Sequence, residues 1–349
     1  MDVLFCGAGL SAALGYPITS EIFPKLLENL RSEHLFSGMG KDGVELRQRL
    51  ADGLQLLMPG FAKGAGNLSP ITEVLSLLDH LIGTSEAVGT RTLPAHAAEL
   101  RNLIVAGILE VLKKPLDSER ADANRGLFDK LAKWTCEQGQ ENKPICVVTT
   151  NYDLAFETAI YRRLWSNTKS LYQVDYGFPW RDPGDGEVIG RPLKPRLAFL
   201  KLHGSLNWLR CRQCGFIYIN HLGSIAGLAL QTRVDWENEC HCGYGPLISV
   251  VVAPSALRRV EEIDLHLTWR SALEYLRQAQ RWTFLGYSLP HEDVQIRALL
   301  LRAFNGRDTE PRVSVYQRSE ESRSRFLMLF PSLVFSIGGV EEFIGGLGE

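Results

Sequence analysis

Short apolar runs recur along the chain, and most of them end in small or polar residues. The first run, residues 3–6, leads directly into Gly7-Ala8-Gly9. Later runs lie at 145–153, 197–205, 282–289, 312–317 and 333–337. Apolar runs of this length that are bounded by turn residues are typical of buried strands. We therefore predict an α/β fold with a Rossmann-like parallel sheet, in which these runs are the strands.

A helical pattern separates the first two runs. Apolar residues recur there at spacings of three and four, in two segments: Leu100, Leu103, Ile104, Ile108, Val111 and Leu112, then Leu127, Phe128, Leu131 and Trp134. This spacing places each set on one face of a helix. We predict that residues 26–135 form an all-helical insertion between the first and second strands.

The turn after the first strand has the composition of an anion site. Gly7-Ala8-Gly9 connects the strand to a helix-compatible stretch that Gly15 and Pro17 close. Glycine lets the backbone approach a phosphate, and the N–H groups of a helix N-terminus attract negative charge. The alternative is a tight strand-to-helix turn that binds nothing.

Small or polar residues also follow three later strands. The second run ends in Thr150-Asn151-Tyr152-Asp153, the third in His203-Gly204, and the fourth in Gly286 and Ser288. Ligands of open α/β sheets bind outside the carboxyl ends of the strands. We expect these residues to meet the Gly7 turn at one edge of the sheet.

Charge and hydropathy exclude several function classes. The chain has 38 basic and 40 acidic residues in 349, a net charge of −2, so neither nucleic acid nor an anionic membrane surface is favoured as a partner. No apolar run approaches the roughly 18 residues of a membrane span. No signal peptide is visible, and we expect a cytoplasmic protein.

Four of the seven cysteines form two close pairs, Cys211 with Cys214 and Cys240 with Cys242. In a cytoplasmic chain this pattern favours a closed structural zinc site over disulfides. The second pair has one intervening residue where two are usual, so His241 is an alternative ligand, and incidental cysteines are the other alternative. The remaining cysteines are predicted to be buried thiols: Cys6, Cys136 and Cys146.

These patterns divide the chain into three parts. The predicted Rossmann-like domain comprises residues 1–25, 136–205 and 246–349. The helical insertion occupies 26–135, and a small zinc-ribbon module occupies 206–245.

Five segments, in this order along the chain, resemble the sirtuin superfamily. Gly7-Ala-Gly-Leu-Ser11 with Gly15-Tyr-Pro17 resembles its phosphate loop, and Thr150-Asn-Tyr-Asp153 resembles its ribose and nicotinamide motif. Leu202-His-Gly204 is similar to its catalytic histidine motif. The four cysteines fall where sirtuins carry a zinc ribbon, and Gly286-Tyr-Ser288 resembles the segment that contacts the phosphate and ribose.

The resemblance implies NAD as substrate, with Asn151 and His203 as catalytic residues. Asn151 is expected to orient a ribose hydroxyl or a water, and His203 to act as general base. The implied nucleotide contacts are Gly7, Ala8, Gly9, Ser11, Thr150, Asp153, Gly286 and Ser288. Taken without the resemblance, Asn151 and Asp153 suit helix capping equally well, and His203 suits a structural hydrogen bond.

Two departures separate the chain from sirtuin deacylases. Those enzymes carry Asp-Phe-Arg after the Gly-x-Pro step, where this chain has Ile18-Thr-Ser20. They also carry a Phe-Gly-Glu strand that pairs with the substrate peptide, where this chain has Val251-Val-Ala-Pro-Ser255. Pro254 has no N–H for a strand ladder. The pattern resembles the sirtuin-like NAD hydrolases of bacterial antiphage systems.

The leading hypothesis is therefore an NAD hydrolase that releases nicotinamide and ADP-ribose. The alternatives are an NAD-dependent deacylase or ADP-ribosyltransferase, and a non-catalytic module that senses NAD or ADP-ribose. A free NAD hydrolase would poison its host, so we expect low resting activity that a partner protein or homo-oligomer raises through the helical insertion.

Overall fold

A seven-stranded parallel sheet forms the centre of the molecule. The computed structural model describes residues 1–60, 70–85, 87, 94–140, 144–165, 173–221, 240–243, 247–257 and 263–347. The strands of this sheet are β1 (Asp2–Cys6), β2 (Ile145–Thr149), β3 (Val174–Asp175), β6 (Leu197–Lys201), β10 (Arg281–Leu285), β11 (Arg312–Tyr316) and β12 (Val334–Ser336). Their order is β12-β11-β10-β1-β2-β6-β3, and every pair is parallel.

A second, five-stranded sheet carries the cysteine module. Its strands are β4 (Trp180–Arg181), β5 (Val188–Ile189), β7 (Gly204–Cys211), β8 (Ile217–Ile219) and β9 (Leu247–Val251), in the order β5-β4-β8-β7-β9. β7 begins three residues after β6 ends, so the histidine motif lies where the chain passes from one sheet to the other.

The helices are α1 (Ala8–Ala12), α2 (Thr19–Arg31), α3 (Gly40–Leu57), α4 (Ile71–Thr84), α5 (Pro94–Leu112), α6 (Ser118–Gln140), α7 (Ala155–Leu164), α8 (Ile263–Gln278), α9 (Val294–Asn305), α10 (Glu321–Leu327) and α11 (Gly339–Gly345). None of them, over the residues described, combines the length and the apolar character needed to cross a bilayer.

Alternation along the strands explains the sheet. In β1, Leu4 and Cys6 face one apolar core, whereas Val3 and Phe5 face another. β2 repeats the pattern, with Val147 in the first core. A strand whose successive side chains are all buried is covered on both faces, as parallel sheets are.

The helical insertion has a core of its own, which contacts the sheets at a few points. Its fully buried residues include Leu26, Leu50, Leu54, Leu75, Leu78 and Ile104. The same cluster contains Tyr152, Leu206 and Ala253, three residues close to the predicted histidine and asparagine motifs. The insertion therefore packs against the region where a ligand is expected.

A contact between the helical insertion and the turn after α1 explains why residue 15 is glycine. Gly15 has φ +73°, and its carbonyl accepts hydrogen bonds from the N–H groups of Leu116 and Asp117. A Cβ at this position would lie 2.2 Å from the carbonyl oxygen of Asp117. Only glycine allows the segment between α5 and α6 to pack so closely against the turn after α1.

The predicted fold class is confirmed: a parallel sheet, a helical insertion over the described part of 26–135, and a small module with four cysteines. Residues 177–195 contain the short strands β4 and β5, which none of the predicted apolar runs indicated. Two-residue strands carry too few side chains to show an alternating pattern. Residues 222–239 and 244–246 of the module lie outside the described residues, and the domain boundaries stay a prediction.

Candidate active site

The Asn151 side chain is fixed in one orientation just after β2. Its Nδ2 donates hydrogen bonds to the carbonyl oxygen of Gly7, at 2.9 Å, and to Ser11 Oγ, at 3.0 Å. A carbonyl oxygen only accepts, which identifies the amide end that faces Gly7 as the nitrogen. Because both N–H bonds are used, the group that Asn151 can offer a ligand is its acceptor, Oδ1.

Ser11 connects Asn151 to a buried carboxylate. Its hydroxyl donates to Asp153 Oδ1 at 2.9 Å, and the same oxygen accepts the N–H of Ala155 at 2.9 Å. Burial raises the pKa of Asp153, while the Lys201 charge and these two hydrogen bonds act in the opposite direction. The chain of donors therefore runs from Asn151 through Ser11 to Asp153.

His203 lies in the turn between the two sheets. Its carbonyl accepts the N–H of Val252 at 2.9 Å, and its ring is nearly parallel to that of Tyr152, with 6.1 Å between centroids. Gly204 has φ +80°, and a Cβ there would lie 1.9 Å from the carbonyl oxygen of Val250. The glycine of this motif thus allows β9 to pack against the turn that presents His203.

One cleft brings the two predicted catalytic residues together. It encloses about 620 Å³ of space open to solvent. Five of the predicted site residues line it: Ala8, Thr150, Asn151, Asp153 and His203. The carboxyl ends of β1, β2 and β6 meet here, as the edge rule for parallel sheets predicts.

A second cleft, of about 1070 Å³, begins at the next residue of the turn, Gly9. Gly286 lines it too, together with Gln317 and Arg318, which follow β11. Since Ala8 lines the first cleft and Gly9 the second, the two clefts adjoin at the turn after β1.

The glycines of the turn have a packing role of their own. Gly9 donates its N–H to the carbonyl oxygen of Gly286 at 2.8 Å, and a Cβ on Gly9 would lie 2.7 Å from that oxygen. Gly7 donates to the carbonyl of Leu285, and its Cβ would lie 2.6 Å from the Tyr287 Cα. Both glycines are therefore required by the segment after β10, whatever binds beside them.

Three of the residues predicted to bind the nucleotide line neither of these two clefts: Gly7, Ser11 and Ser288. The Ser11 hydroxyl is engaged by Asp153, and Ser288 is half-buried, with its carbonyl accepting Arg325 Nε at 3.0 Å. The ligand roles of all these residues stay predictions.

The four cysteines form one cluster. Their Sγ atoms all lie within 4.8 Å of one another, with 3.8 Å between Cys211 and Cys242 and 3.4 Å between Cys214 and Cys240. Thiolates at ~2.3 Å from a tetrahedral zinc are about 3.8 Å apart, so the donor set and its size fit a closed zinc site.

The alternative ligand, His241, points to a different partner. Its Nδ1 lies 3.1 Å from the Tyr218 hydroxyl, and the two rings stack with 5.7 Å between centroids. Burial opposes ionisation of the Cys240 thiol, but hydrogen bonds from Tyr218 and the Cys242 N–H outweigh it and lower the Cys240 pKa, whereas burial raises the pKa of the neighbouring Cys214. A thiol that ionises readily is a suitable metal ligand.

Several lining residues were not predicted. Thr72 and Leu112 reach the first cleft from the helical insertion, and Pro254, Pro290 and Asp293 reach it from later loops. No local pattern identifies them, because their position depends on long-range packing. Gln317 and Arg318 were identifiable, since they stand at the carboxyl end of the predicted strand 312–317.

The chain is similar to known proteins in its family and in its fold. A family model for the SIR2-like domain matches residues 145–329. Among solved structures, "Sir2-p53 peptide-NAD+" is 14% identical, with 99% of this chain and 90% of that chain covered at a TM-score of 0.45. A Sir2 complex with the inhibitor EX-527, 2'-O-acetyl-ADP-ribose and deacetylated p53 peptide is 14% identical, covering 99% and 91% at a TM-score of 0.44. No curated protein matches the chain.

Proposed function

Since this chain belongs to the SIR2-like domain family of the sirtuin superfamily, we propose that it binds NAD and hydrolyses it to nicotinamide and ADP-ribose. The observation that carries the proposal is the first cleft, where Asn151 and His203 lie beside the Ala8 turn. A polar acceptor and an imidazole at the carboxyl edge of the sheet suit chemistry on the ribose of a bound nucleotide.

The two adjoining clefts suit the two halves of NAD. In the proposed pose the pyrophosphate lies at Ala8, between the clefts, where the backbone turns into α1. The nicotinamide ribose then enters the cleft with Asn151 and His203. The adenosine half enters the cleft with Gly286 and Gln317.

Cleavage of nicotinamide from NAD passes through a ribosyl cation-like state, and the pyridinium is a good leaving group. The protein mainly has to hold the ribose and direct a water. Asn151 Oδ1 accepts from a ribose hydroxyl or that water, and His203 takes up its proton as general base. Asp153 Oδ2, which neither Ser11 nor the Ala155 N–H contacts, is the acceptor for the nicotinamide carboxamide.

Water is the favoured acceptor of the ribosyl group because the segment after β9 is already engaged by the fold. Val252 donates its N–H to His203 and accepts from the Tyr152 hydroxyl at 2.7 Å. Ala253 lies in the helical core, and Ala256 N–H donates to Ser76 Oγ of α4 at 2.8 Å. An acyl-lysine peptide would have to replace these contacts to pair here, and Pro254 offers it no donor.

The cysteine cluster has a structural part in this proposal. Zinc bound by Cys211, Cys214, Cys240 and Cys242 would cross-link β7 to the segment before β9, and four thiolates leave no open position for catalysis. The metal would then stabilise the pairing of β7 with β9, which includes Gly204, the residue after His203.

The resemblance to antiphage NAD hydrolases extends the proposal to a role in defence. Such an enzyme has to be nearly inactive until infection is sensed. We propose that a partner protein, or assembly of this chain with itself through the helical insertion, raises its activity. Nothing in the charge of the chain favours nucleic acid as that partner.

Chromatography of NAD incubations tests the function. Wild-type protein, assayed over a range of concentrations because assembly is part of the proposal, is expected to release nicotinamide and ADP-ribose in equal amounts without an acylated peptide. His203→Ala is expected to lower turnover by about 10²–10⁴-fold, the usual range for a positioned acid–base group. Asn151→Ala should also lower it, and the two losses should be less than additive because both serve one step.

The matched control is His266→Ala, the same change at an exposed histidine of α8. It is expected to leave turnover unchanged. A folded His203→Ala protein with wild-type turnover would remove His203 from the mechanism. Strict dependence on an acyl-lysine peptide would favour a deacylase, and nucleotide binding without cleavage in any assembly would favour a sensor.

A further inference from the structure

We infer that Lys201 is a positioning residue for the candidate active site, anchoring the backbone of Tyr152 and Asp153 so that Asn151 is held for catalysis. The inference rests on the proposed function, because it assigns a residue to that reaction. Lys201 is the last residue of β6, on the strand before His203.

The Lys201 ammonium is buried and fully used. Its side chain is 1% exposed, and Nζ donates to the carbonyl oxygen of Asp153 at 2.7 Å and to Glu157 Oε2 at 2.6 Å. A third contact, at 3.4 Å, goes to the carbonyl of Tyr152. An ammonium has three N–H donors, and each one here points to an acceptor on the β2–α7 segment.

Stability alone does not account for a lysine at this position. The other residues of β6 are apolar and buried, and replacing a buried ion pair with apolar residues is often neutral or stabilising. An apolar side chain, in contrast, cannot donate hydrogen bonds to the carbonyl groups of Tyr152 and Asp153 in the loop between β2 and α7 (residues 150–154). The hydrogen bonds of Lys201 therefore fix the position of this loop.

Glu157 keeps the Lys201 ammonium in a fixed position. Its Oε1 accepts hydrogen bonds from the Tyr161 hydroxyl and from Asn207 Nδ2, the latter at 3.1 Å. Tyr161 lies on α7 and Asn207 on β7, so the carboxylate is held from two elements. Lys201 therefore connects the loop to a fixed point rather than to a mobile side chain.

The loop in turn sets the position of Asn151. The Asp153 carboxylate accepts from Ser11 Oγ, which accepts from Asn151 Nδ2. A shift of the Asp153 backbone would move this chain of hydrogen bonds and, with it, Asn151 Oδ1. Misplacement of a catalytic group by about 1 Å lowers rates by about 10²-fold.

The test replaces the ion pair by neutral side chains of similar length. In Lys201→Met with Glu157→Gln, neither member of the ion pair is left charged alone, while the Asp153 carboxyl loses the Lys201 charge that lowers its pKa. We expect a folded protein whose kcat for NAD cleavage is about 10²-fold lower, while KM changes by less than about threefold. Hydrogen exchange at the amides of residues 151–155 should be at least about tenfold faster than in wild type.

Two further variants separate positioning from general stability. Asp175→Asn removes another buried carboxylate, which pairs with Arg191 at 2.8 Å, and should lower stability without changing kcat or the exchange of 151–155. Lys201→Gln with Glu157→Gln keeps one amide donor for the Asp153 carbonyl. It should recover part of the kcat lost in the methionine variant.

A folded methionine variant with wild-type kcat would overturn the inference, as would a loss confined to KM or exchange that does not change. If wild-type protein cleaves no NAD in any assembly, the proposed function fails by itself. Hydrogen exchange then still decides whether Lys201 anchors the loop.

Discussion

Protonation of His221 should destabilise the fold below neutral pH. The imidazole lies just after β8, with Nε2 at 3.0 Å from the Tyr176 hydroxyl, and its ring packs against Tyr161 and Trp180 at centroid distances of 4.6 and 5.0 Å. Burial lowers the pKa of His221 from 6.5 to about 4, although the charges of Glu157 and Asp182 oppose the shift.

The direction of this pH effect follows because the pKa of His221 is lower in the folded chain than in the unfolded chain. Between pH 6.5 and about 4 the unfolded chain binds a proton at His221 that the folded chain does not, so stability falls as the pH falls through this window. At pH 5.0 these values correspond to about 2 kcal/mol lost, and at pH 7.5 to less than about 0.1 kcal/mol.

The assay is urea denaturation of wild type and His221→Gln at pH 7.5 and 5.0. Glutamine keeps an Nε2 near Tyr176 but does not titrate, so the variant loses whatever stability the other groups lose. Wild type should lose about 2 kcal/mol more than the variant between the two pH values. Equal losses in both proteins would show that His221 is not held neutral in the folded state.

Two further predictions concern the cysteine module and the histidine turn. Cys211→Ser should abolish zinc in metal analysis and lower thermal stability, since structural zinc contributes about 10–16 kcal/mol in small zinc-finger peptides; Cys136→Ser, outside the cluster, should keep one zinc per chain. Gly204→Ala should cost more than about 2 kcal/mol by denaturation, because its Cβ would lie 1.9 Å from the Val250 oxygen at a positive φ. Gly190→Ala, with nothing within 4 Å of the added Cβ, should be near neutral.

The central strands β1, β2 and β6 could be predicted because they are buried on both faces and therefore form almost unbroken apolar runs, whereas the two-residue strand β3 was not predicted. The first cleft followed from the same rule, since polar residues after β2 and β6 must meet at one edge. Asn151 and His203 were found this way, as was the turn at Ala8. What these residues bind was not contained in the pattern and came from the resemblance.

Features that depend on contacts distant in sequence could not be predicted. Lys201 stands at the end of an apolar run, and only the fold shows that its ammonium meets the Asp153 carbonyl. The packing of Asp117 on Gly15 is of the same kind. Local sequence shows that Gly15 ends a turn, but it does not show which segment comes close.

The helical insertion is closer to the chemistry than its place in the sequence suggests. As the largest element outside the predicted nucleotide motifs, it was expected to carry oligomer or partner contacts. Thr72 of α4 and Leu112 of α5 nevertheless line the first cleft, and Ser76 of α4 holds the segment that follows Pro254. A partner that moved α4 would therefore change the wall of the cleft that Asn151 and His203 also line. If the insertion carries the proposed partner contacts, control of activity requires no separate relay, because helices of the insertion themselves line the cleft.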